Sequence, residues 1–282
     1  MRIALTGGTG FLGRHLIDSL LQSGHQVTAW CRSDPDTVSS RTPHVHWIRG
    51  ELGQRRDAEQ LAQSADAMIH AGWYRGGDSF LNIDADPERY WQINSVGALQ
   101  LLESASRAGV NRFVFISSGA VHDQVLPDRP LDETHPMRPR TLYGACKASI
   151  EAMVHHYGSS GKLVAASVRP TSIYGLAEPA SQSKWFELVA QIKRGKNVEA
   201  TGGSKTVHAS DVARSVALLL QQDDSIAGET FNCCDRMISD YEVAMLAKQL
   251  TGSPSQISGH EKMAKHEIET AKIRSIGMRS RR

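Results

Sequence analysis

The sequence predicts an α/β fold: a Rossmann-type, doubly wound parallel sheet followed by a smaller C-terminal lobe. Three observations predict it. The chain opens on a short apolar run, Met1-Arg2-Ile3-Ala4-Leu5, then a glycine-rich turn, Thr6-Gly7-Gly8-Thr9-Gly10-Phe11-Leu12-Gly13, then an amphipathic stretch. Strand-length apolar runs recur after it, separated by helix-length segments, which implies a parallel sheet covered on both faces. Beyond Pro170 that alternation loosens into Gly, Ser and Pro.

The elements follow in order. Residues 3–5 read as a buried strand. Leu12, Leu16 and Leu20 at i+4 spacing, with Ile17 and Leu21 beside them, read as a helix. Further strands are expected at 27–30, 45–48, 67–70, 113–116 and 163–168. Val96, Leu99, Leu102 and Ala105 step by three and predict a helix that stops at Gly109; Gly24 and Gly53 also fall near element ends. Residues 171–205 hold one helical stretch, at 185–192, and helices return at 211–220 and 241–250, the last ended by Thr251-Gly252. We read 1–169 as a nucleotide-binding Rossmann domain and 170–282 mainly as a substrate-binding lobe, with 206–232 returning to the first domain. The final Arg279-Ser280-Arg281-Arg282 is expected to be a solvated end.

Composition narrows the function classes. At 282 residues, 40% hydrophobic and 22% charged, the chain is an ordinary globular protein. A net charge of +2 gives no reason to expect nucleic acid or an anionic membrane as partner. No run of 18 apolar residues predicts a membrane span. The start lies directly in a strand, so no secretion leader is expected and the cytoplasm is. Cys31, Cys146, Cys233 and Cys234 show no metal-ligand spacing and are expected to be reduced; His44/His46 and His155/His156 lack a carboxylate or thiolate at ligand spacing, so no metal is expected.

Two motifs carry chemistry. Strand, glycine turn, helix is the context of a dinucleotide fingerprint, and both Gly8-x-Gly10-x-x-Gly13 and Gly7-x-x-Gly10-x-x-Gly13 are present. Glycines let backbone approach a pyrophosphate, and the helix N-terminus offers free N–H groups. Tyr143 and Lys147, four apart on a helix, share one face. A phenol titrates near 10, and bringing it near 7 takes roughly 4 kcal/mol. One ammonium at about 4 Å supplies that much at an effective dielectric of about 20. Ser117-Ser118 ends the strand at 113–116.

With these motifs the chain resembles an extended short-chain dehydrogenase/reductase of the NAD-dependent epimerase/dehydratase family. The resemblance runs from Met1 to about Thr251. It takes in Thr6–Gly13, Asn94 in Ile93-Asn94-Ser95-Val96-Gly97, the strand ending in Ser118, Tyr143/Lys147, Arg169-Pro-Thr-Ser-Ile-Tyr-Gly175 and Val207-His208-Ala-Ser-Asp211. It implies an NAD(P)-dependent oxidoreductase in which Ser118, Tyr143 and Lys147 are catalytic. Tyr143 would pass a proton to or from the substrate oxygen, Ser118 would hydrogen-bond that oxygen, and Lys147 would hold the nicotinamide ribose. It implies cofactor contacts from Gly7, Thr9, Gly10, Phe11, Leu12, Gly13, Arg32, Glu51, Leu52, Ala71, Gly72, Asn94, Tyr143, Lys147 and Pro170. For Ser117, Asn94, His208 and Asp211 a structural hydrogen bond or helix cap explains the residue as well as a catalytic role. Trp73, His122 and Lys205 are candidate substrate contacts, and the loop 73–88 is expected to cover the pocket. The resemblance also implies a homodimer through a four-helix bundle built on the helices beginning near Tyr90 and Tyr143, with Ile150, Met153 and Val154 only partly explained by packing on the sheet.

Three departures shape the expected chemistry. Cys31 stands where NAD-preferring members carry an acid, and Arg32 can fork onto a 2′-phosphate, so NADP(H) is expected over NAD(H), which stays possible. Ser204 stands where nucleotide-sugar enzymes place an arginine for the diphosphate, with Lys205 following. His122-Asp123 replaces the usual Tyr-Gly. Gly119-Ala120 supplies neither the extra acid and base of a 4,6-dehydratase nor the cysteine of a 3,5-epimerase. The expected reaction is therefore alcohol/ketone interconversion, at C4 of a nucleotide sugar, by ketoreduction or 4-epimerisation. The alternatives are an NADPH-dependent reductase of a non-sugar carbonyl and a non-catalytic NADP sensor.

Overall fold

The computed structural model describes residues 1–40, 42–77 and 86–279. Much of the loop expected over the pocket, and the tail Ser280-Arg281-Arg282, lie outside the described residues. The order is β1 (Arg2–Thr6), α1 (Phe11–Gln22), β2 (Gln26–Cys31), α2 (Pro35–Ser39), β3 (Val45–Arg49), α3 (Arg55–Ala62), β4 (Ala67–His70), α4 (Pro87–Trp91), α5 (Gly97–Arg107), β5 (Arg112–Ile116), α6 (Leu142–Ser159) and β6 (Val164–Pro170). There follow β7 (Ser172–Tyr174), α7 (Phe186–Lys193), β8 (Val198–Ala200), β9 (Gly203–His208), α8 (Ala209–Gln221), β10 (Thr230–Cys233), β11 (Arg236–Ser239), α9 (Asp240–Thr251), β12 (Ile257–Gly259) and α10 (Ala271–Ser275).

Seven parallel strands form the main sheet in the order β10-β6-β5-β4-β1-β2-β3. Both faces are covered, which is why the inner strands are apolar without alternation: Ile3, Ala4, Leu5, Ala67, Met68 and Ile69 are all essentially inaccessible. One core joins α1 and α8 to the sheet through Leu16, Leu20, Val212, Val216 and Leu219; the other joins α3, α5 and α6 through Leu61, Leu101, Leu102, Ile150 and Val154. From β1 the strand order runs one way through β2 and β3 and the other way through β4. Ligand belongs in the crevice above that switch point, at the carboxyl ends of β1 and β4. A three-stranded sheet, β11-β9-β7, takes up the chain just after β6 and β10, and a two-stranded one, β12-β8, packs with α7 and α9.

The stripe at Val96, Leu99, Leu102 and Ala105 marks a helix, α5, which ends just before Gly109, but its buried face is a different set. Ala98, Leu101, Leu102 and Ala105 are buried, and Leu99 is 37% exposed. Steps of three drift around a 3.6-residue helix, whereas i, i+3, i+4, i+7 stays on one face. A π-helical turn, Gln92–Val96, precedes α5 and shifts its phase. Ile150 and Val154 are not surplus apolar surface on α6; both are buried within this chain, and Met153 alone of that set is partly buried.

Candidate functional site

The glycine turn packs against the end of β4. Gly7 adopts φ +79°, and a Cβ there would lie 2.6 Å from the Gly72 nitrogen. A Cβ on Gly13 would come within 2.1 Å of the Gly7 carbonyl oxygen, so only glycine lets α1 begin so close to the turn. No side chain caps the start of α1 at Gly10, which leaves its first N–H groups to the cleft. Thr6 ties the two switch-point strands: its Oγ1 accepts from Gly72 N at 2.9 Å and lies 2.8 Å from His70 Nδ1. His70 is fully buried, and burial pushes it down to about 3, so it is neutral.

At the other end of the glycine turn, Cys31, Arg32, Glu51 and Leu52 line the cleft. Cys31 is buried, and burial raises its thiol. The nearby carboxylate of Asp34 is committed to capping α2, accepting from Asp36 N at 3.3 Å and from the Thr37 hydroxyl at 3.2 Å. Arg32 is exposed and forms no ion pair among the described residues.

Ser118, Tyr143 and Lys147 converge at the end of β5. Ser118 caps a short 3₁₀ turn, Gly119–His122, accepting from Ala120 N at 3.2 Å. Thr141 caps α6 through Gly144 N at 3.1 Å. A Cβ on Gly144 would lie 2.4 Å from the Ala120 carbonyl, so the glycine after Tyr143 lets the Ser118 turn and α6 meet. Burial raises the Tyr143 phenol, and a hydrogen bond with Ser118 opposes that rise. Lys147 Nζ donates to the Ile116 carbonyl at 2.6 Å and sits 5.7 Å from the Tyr143 ring centre. Burial pushes Lys147 down to about 7, against the pull of Glu151.

Behind this group lies a buried polar network that the sequence reading did not assemble. Arg169 forks onto Glu151, with Nε donating at 3.0 Å and Nη2 at 2.7 Å. Glu151 also accepts from the Ser117 hydroxyl. Arg169 Nη1 donates to His122 Nε2 at 3.0 Å. Burial, and then the Arg169 charge, push His122 down to about 4. A signal did exist: Glu151 lies four residues past Lys147 on the same buried helix face.

These groups share one cleft of about 1150 Å³. Its wall contains every residue expected at the site except Asn94: the glycine turn, Arg32, Glu51, Leu52, Ala71, Gly72, Trp73, Ser118, His122, Tyr143, Lys147, Pro170 and Lys205. Asn94 is buried beside it and clamps the chain there, accepting from Tyr74 N at 2.9 Å and donating to Tyr74 O at 3.0 Å and Tyr90 O at 3.1 Å. A family model described as NAD dependent epimerase/dehydratase matches residues 3–234. The chain belongs to this family.

Its relatives span several activities. A UDP-glucose 4-epimerase of Corynebacterium glutamicum is 26% identical over 90% of this chain and 82% of its own length. A ketoreductase of Stigmatella aurantiaca acting on a farnesylated dihydroquinoline oxide is 28% identical over 83% of this chain and 68% of its own length. The UDP-glucose 4-epimerase of Thermus thermophilus, solved with NAD, superposes at TM-score 0.76 with 24% identity, covering 99% of this chain and 94% of that one. This epimerase/dehydratase-family protein is an NAD(P)-dependent enzyme, and the structural neighbours share its α/β fold.

Within the family frame one further residue emerges. Lys184 Nζ donates to Ser204 Oγ at 2.6 Å and to Ser172 Oγ at 2.7 Å. An ammonium thus stands on the serine found where the sequence comparison expects an arginine. Lys205 and Ser172 line the cleft, and burial lowers both lysines. Neither forms an ion pair among the described residues. Lys184 lies twenty residues upstream in a Ser-rich stretch without periodicity, so spacing could not find it. His208 caps α8, its Nδ1 accepting from Ser210 N at 3.2 Å, and Asp211 accepts from Arg214 at 2.8 Å. All four cysteines are free. Among the described residues no helix is long and apolar enough to cross a membrane.

Proposed function

We propose that this enzyme interconverts a secondary alcohol and a ketone at C4 of a nucleotide-activated sugar, by ketoreduction or 4-epimerisation. The observation that carries the proposal is the convergence of Ser118, Tyr143 and Lys147 in one cleft that is continuous with the uncapped start of α1. The nicotinamide cofactor supplies the hydride. The α1 N-terminus and Gly7–Gly13 would hold its pyrophosphate, and Lys147 the ribose next to the nicotinamide. Tyr143 moves the proton to or from the substrate oxygen, and Ser118 orients both. A sensor that had lost catalysis would have no use for all three groups. Lys205 suits a diphosphate, being a cation in the cleft wall without an ion-pair partner among the described residues, and Lys184 adds a second cation beside it through Ser172, which also lines the cleft.

Gly119 and Ala120 line the cleft beside Ser118 and carry no group that transfers protons. With a dTDP- or GDP-hexose in deuterated water, NMR should therefore show a change confined to C4. A 4-keto-6-deoxy product carrying deuterium at C5 would overturn this reading. The second reading, a reductase of a non-sugar carbonyl, is favoured by the apolar wall that Trp73, Val125, Leu131 and Ile268 give the cleft, and by the ketoreductase relative. Turnover of an apolar ketone without any of nucleotide sugars would decide for it.

We further propose NADP(H) as the preferred cofactor. Arg32 is a cation without an ion pair among the described residues at the adenosine end of the cleft, and no carboxylate replaces Cys31. A charge-assisted fork on a 2′-phosphate contributes roughly 1.5–3 kcal/mol, about ten-fold or more in affinity. Calorimetric titration should show that preference and its loss in Arg32→Asp. Equal or tighter NAD binding would reject it. A homodimer is the assembly the resemblance implies, and the reduced cysteines suit the cytoplasm. Trp91 and Leu99, 39% and 37% exposed, lie on the helices that would meet the partner. A monomer mass by light scattering at micromolar concentration would exclude it.

A further inference from the structure

Lys147 has three N–H directions, and two are taken. One points to the Ile116 carbonyl at 2.6 Å. Another is covered by the face of Trp73, whose ring centre lies 3.9 Å from Nζ, while the Phe115 ring lies at 4.7 Å. The same indole meets the Tyr143 ring edge-on, with centroids 5.3 Å apart and planes at 83°. So one aromatic side chain touches both members of the proton-transfer pair.

Trp73 is itself fixed from three sides. Its Nε1–H donates to the hydroxyl of fully buried Tyr90 at 2.8 Å. The next residue, Tyr74, is clamped through both backbone groups by buried Asn94. The residue before it, Gly72, is held by Thr6. This restraint is more than packing requires, since an indole resting on a surface needs no such set of partners.

We infer that Trp73 is a positioning residue for the reaction: its π face holds the Lys147 ammonium and its perpendicular contact holds the Tyr143 ring, leaving one Lys147 N–H for the cofactor ribose. A cation over an indole face is attracted by the ring quadrupole, and the attraction strengthens where water is excluded. The inference rests on the roles proposed for Tyr143 and Lys147, but not on which substrate is used. It also gives Asn94 an indirect part, as the clamp on the chain that carries Trp73.

Trp73→Phe keeps a π face and loses the bond to Tyr90. Trp73→Leu keeps apolar bulk and has no π face. NADPH affinity of the purified protein, by calorimetry, should fall about ten-fold in Trp73→Leu and stay within about three-fold in Trp73→Phe. Equal losses in the two variants, or none, would overturn the inference, whatever the substrate proves to be. Should Trp73→Leu fail to fold by circular dichroism, Trp73→Met replaces it; this variant too has no π face and should weaken NADPH binding about ten-fold, and an unchanged affinity overturns the inference. Where an alcohol is oxidised, the pH of half-maximal rate should move up in Trp73→Leu and hold in Trp73→Phe, because a less firmly held ammonium favours the phenolate less. The titratable groups facing Lys147, namely His70 from β4 and Tyr143, Cys146 and Glu151 from α6, are the same in both variants. If NADPH binding follows the pattern while no nucleotide sugar turns over, the positioning role stands and the sugar reading fails.

Discussion

Tyr143→Phe is expected to lower turnover by about 10²–10⁴-fold while leaving cofactor binding nearly intact. The proton is lost, but the ring that meets Trp73 remains. Lys147→Ala should weaken cofactor binding as well as rate, because it removes the donor proposed for the ribose and leaves the Ile116 carbonyl without its partner. The pH dependence has a definite sign. Alcohol oxidation needs the phenolate, and burial raises Tyr143, so oxidation should climb with pH. Ketone reduction needs the phenol and should hold at neutral pH. Lys147 is pushed down to about 7, so above that pH its help to the phenolate fades unless a bound cofactor restores its charge. A Tyr143→Phe variant that keeps more than about a tenth of the rate on a true substrate would remove Tyr143 as the proton carrier.

The second large effect is on stability. Arg169 and Glu151 are 4% and 3% exposed, and each is the other's counter-ion. Removing one partner strands a buried charge, which costs about 3–5 kcal/mol. Arg169→Met should therefore lose about that much in chemical denaturation. The double variant Arg169→Met/Glu151→Leu should recover most of it, since a desolvated pair contributes little beyond what apolar packing gives. A single-variant loss below about 1 kcal/mol, or a double variant worse than either single, would contradict the account. Because Glu151 also accepts from Ser117, next to Ser118, the activity of the singles should fall further than their folded fraction.

The strongly patterned first half was legible because its signals are local. A strand, a glycine turn and a helix within 22 residues announce their own geometry, and Tyr143 and Lys147 share a face by helical spacing alone. What stayed hidden depends on contacts distant in sequence. Lys184 reaches Ser204 across a stretch without periodicity. Arg169 meets His122 from a different strand, and a motif arginine gives no hint of which histidine it will hold. Asn94 was legible as a motif residue, but not as the clamp on Tyr74, because a π-helical turn has no sequence period of its own. The short strands β7, β8, β11 and β12 carry three or four residues each, too few for alternation to show.

The place of β10 in the main sheet has a consequence for how this chain can be cut and how it folds. Its partner is β6, with Thr230 opposite Ser167 and Cys233 opposite Pro170, and α8 covers α1 on the same side. A fragment ending at 169 would keep the glycine turn, yet it would expose the hydrogen-bonding edge of β6 and strip Leu16 and Leu20 of Val216 and Leu219. Such an edge invites pairing between chains. The excised piece should therefore aggregate rather than behave as a free nucleotide-binding module. During synthesis β10 cannot join the sheet until residue 233 has left the ribosome, so refolding is expected to be slower than for a protein of local contacts.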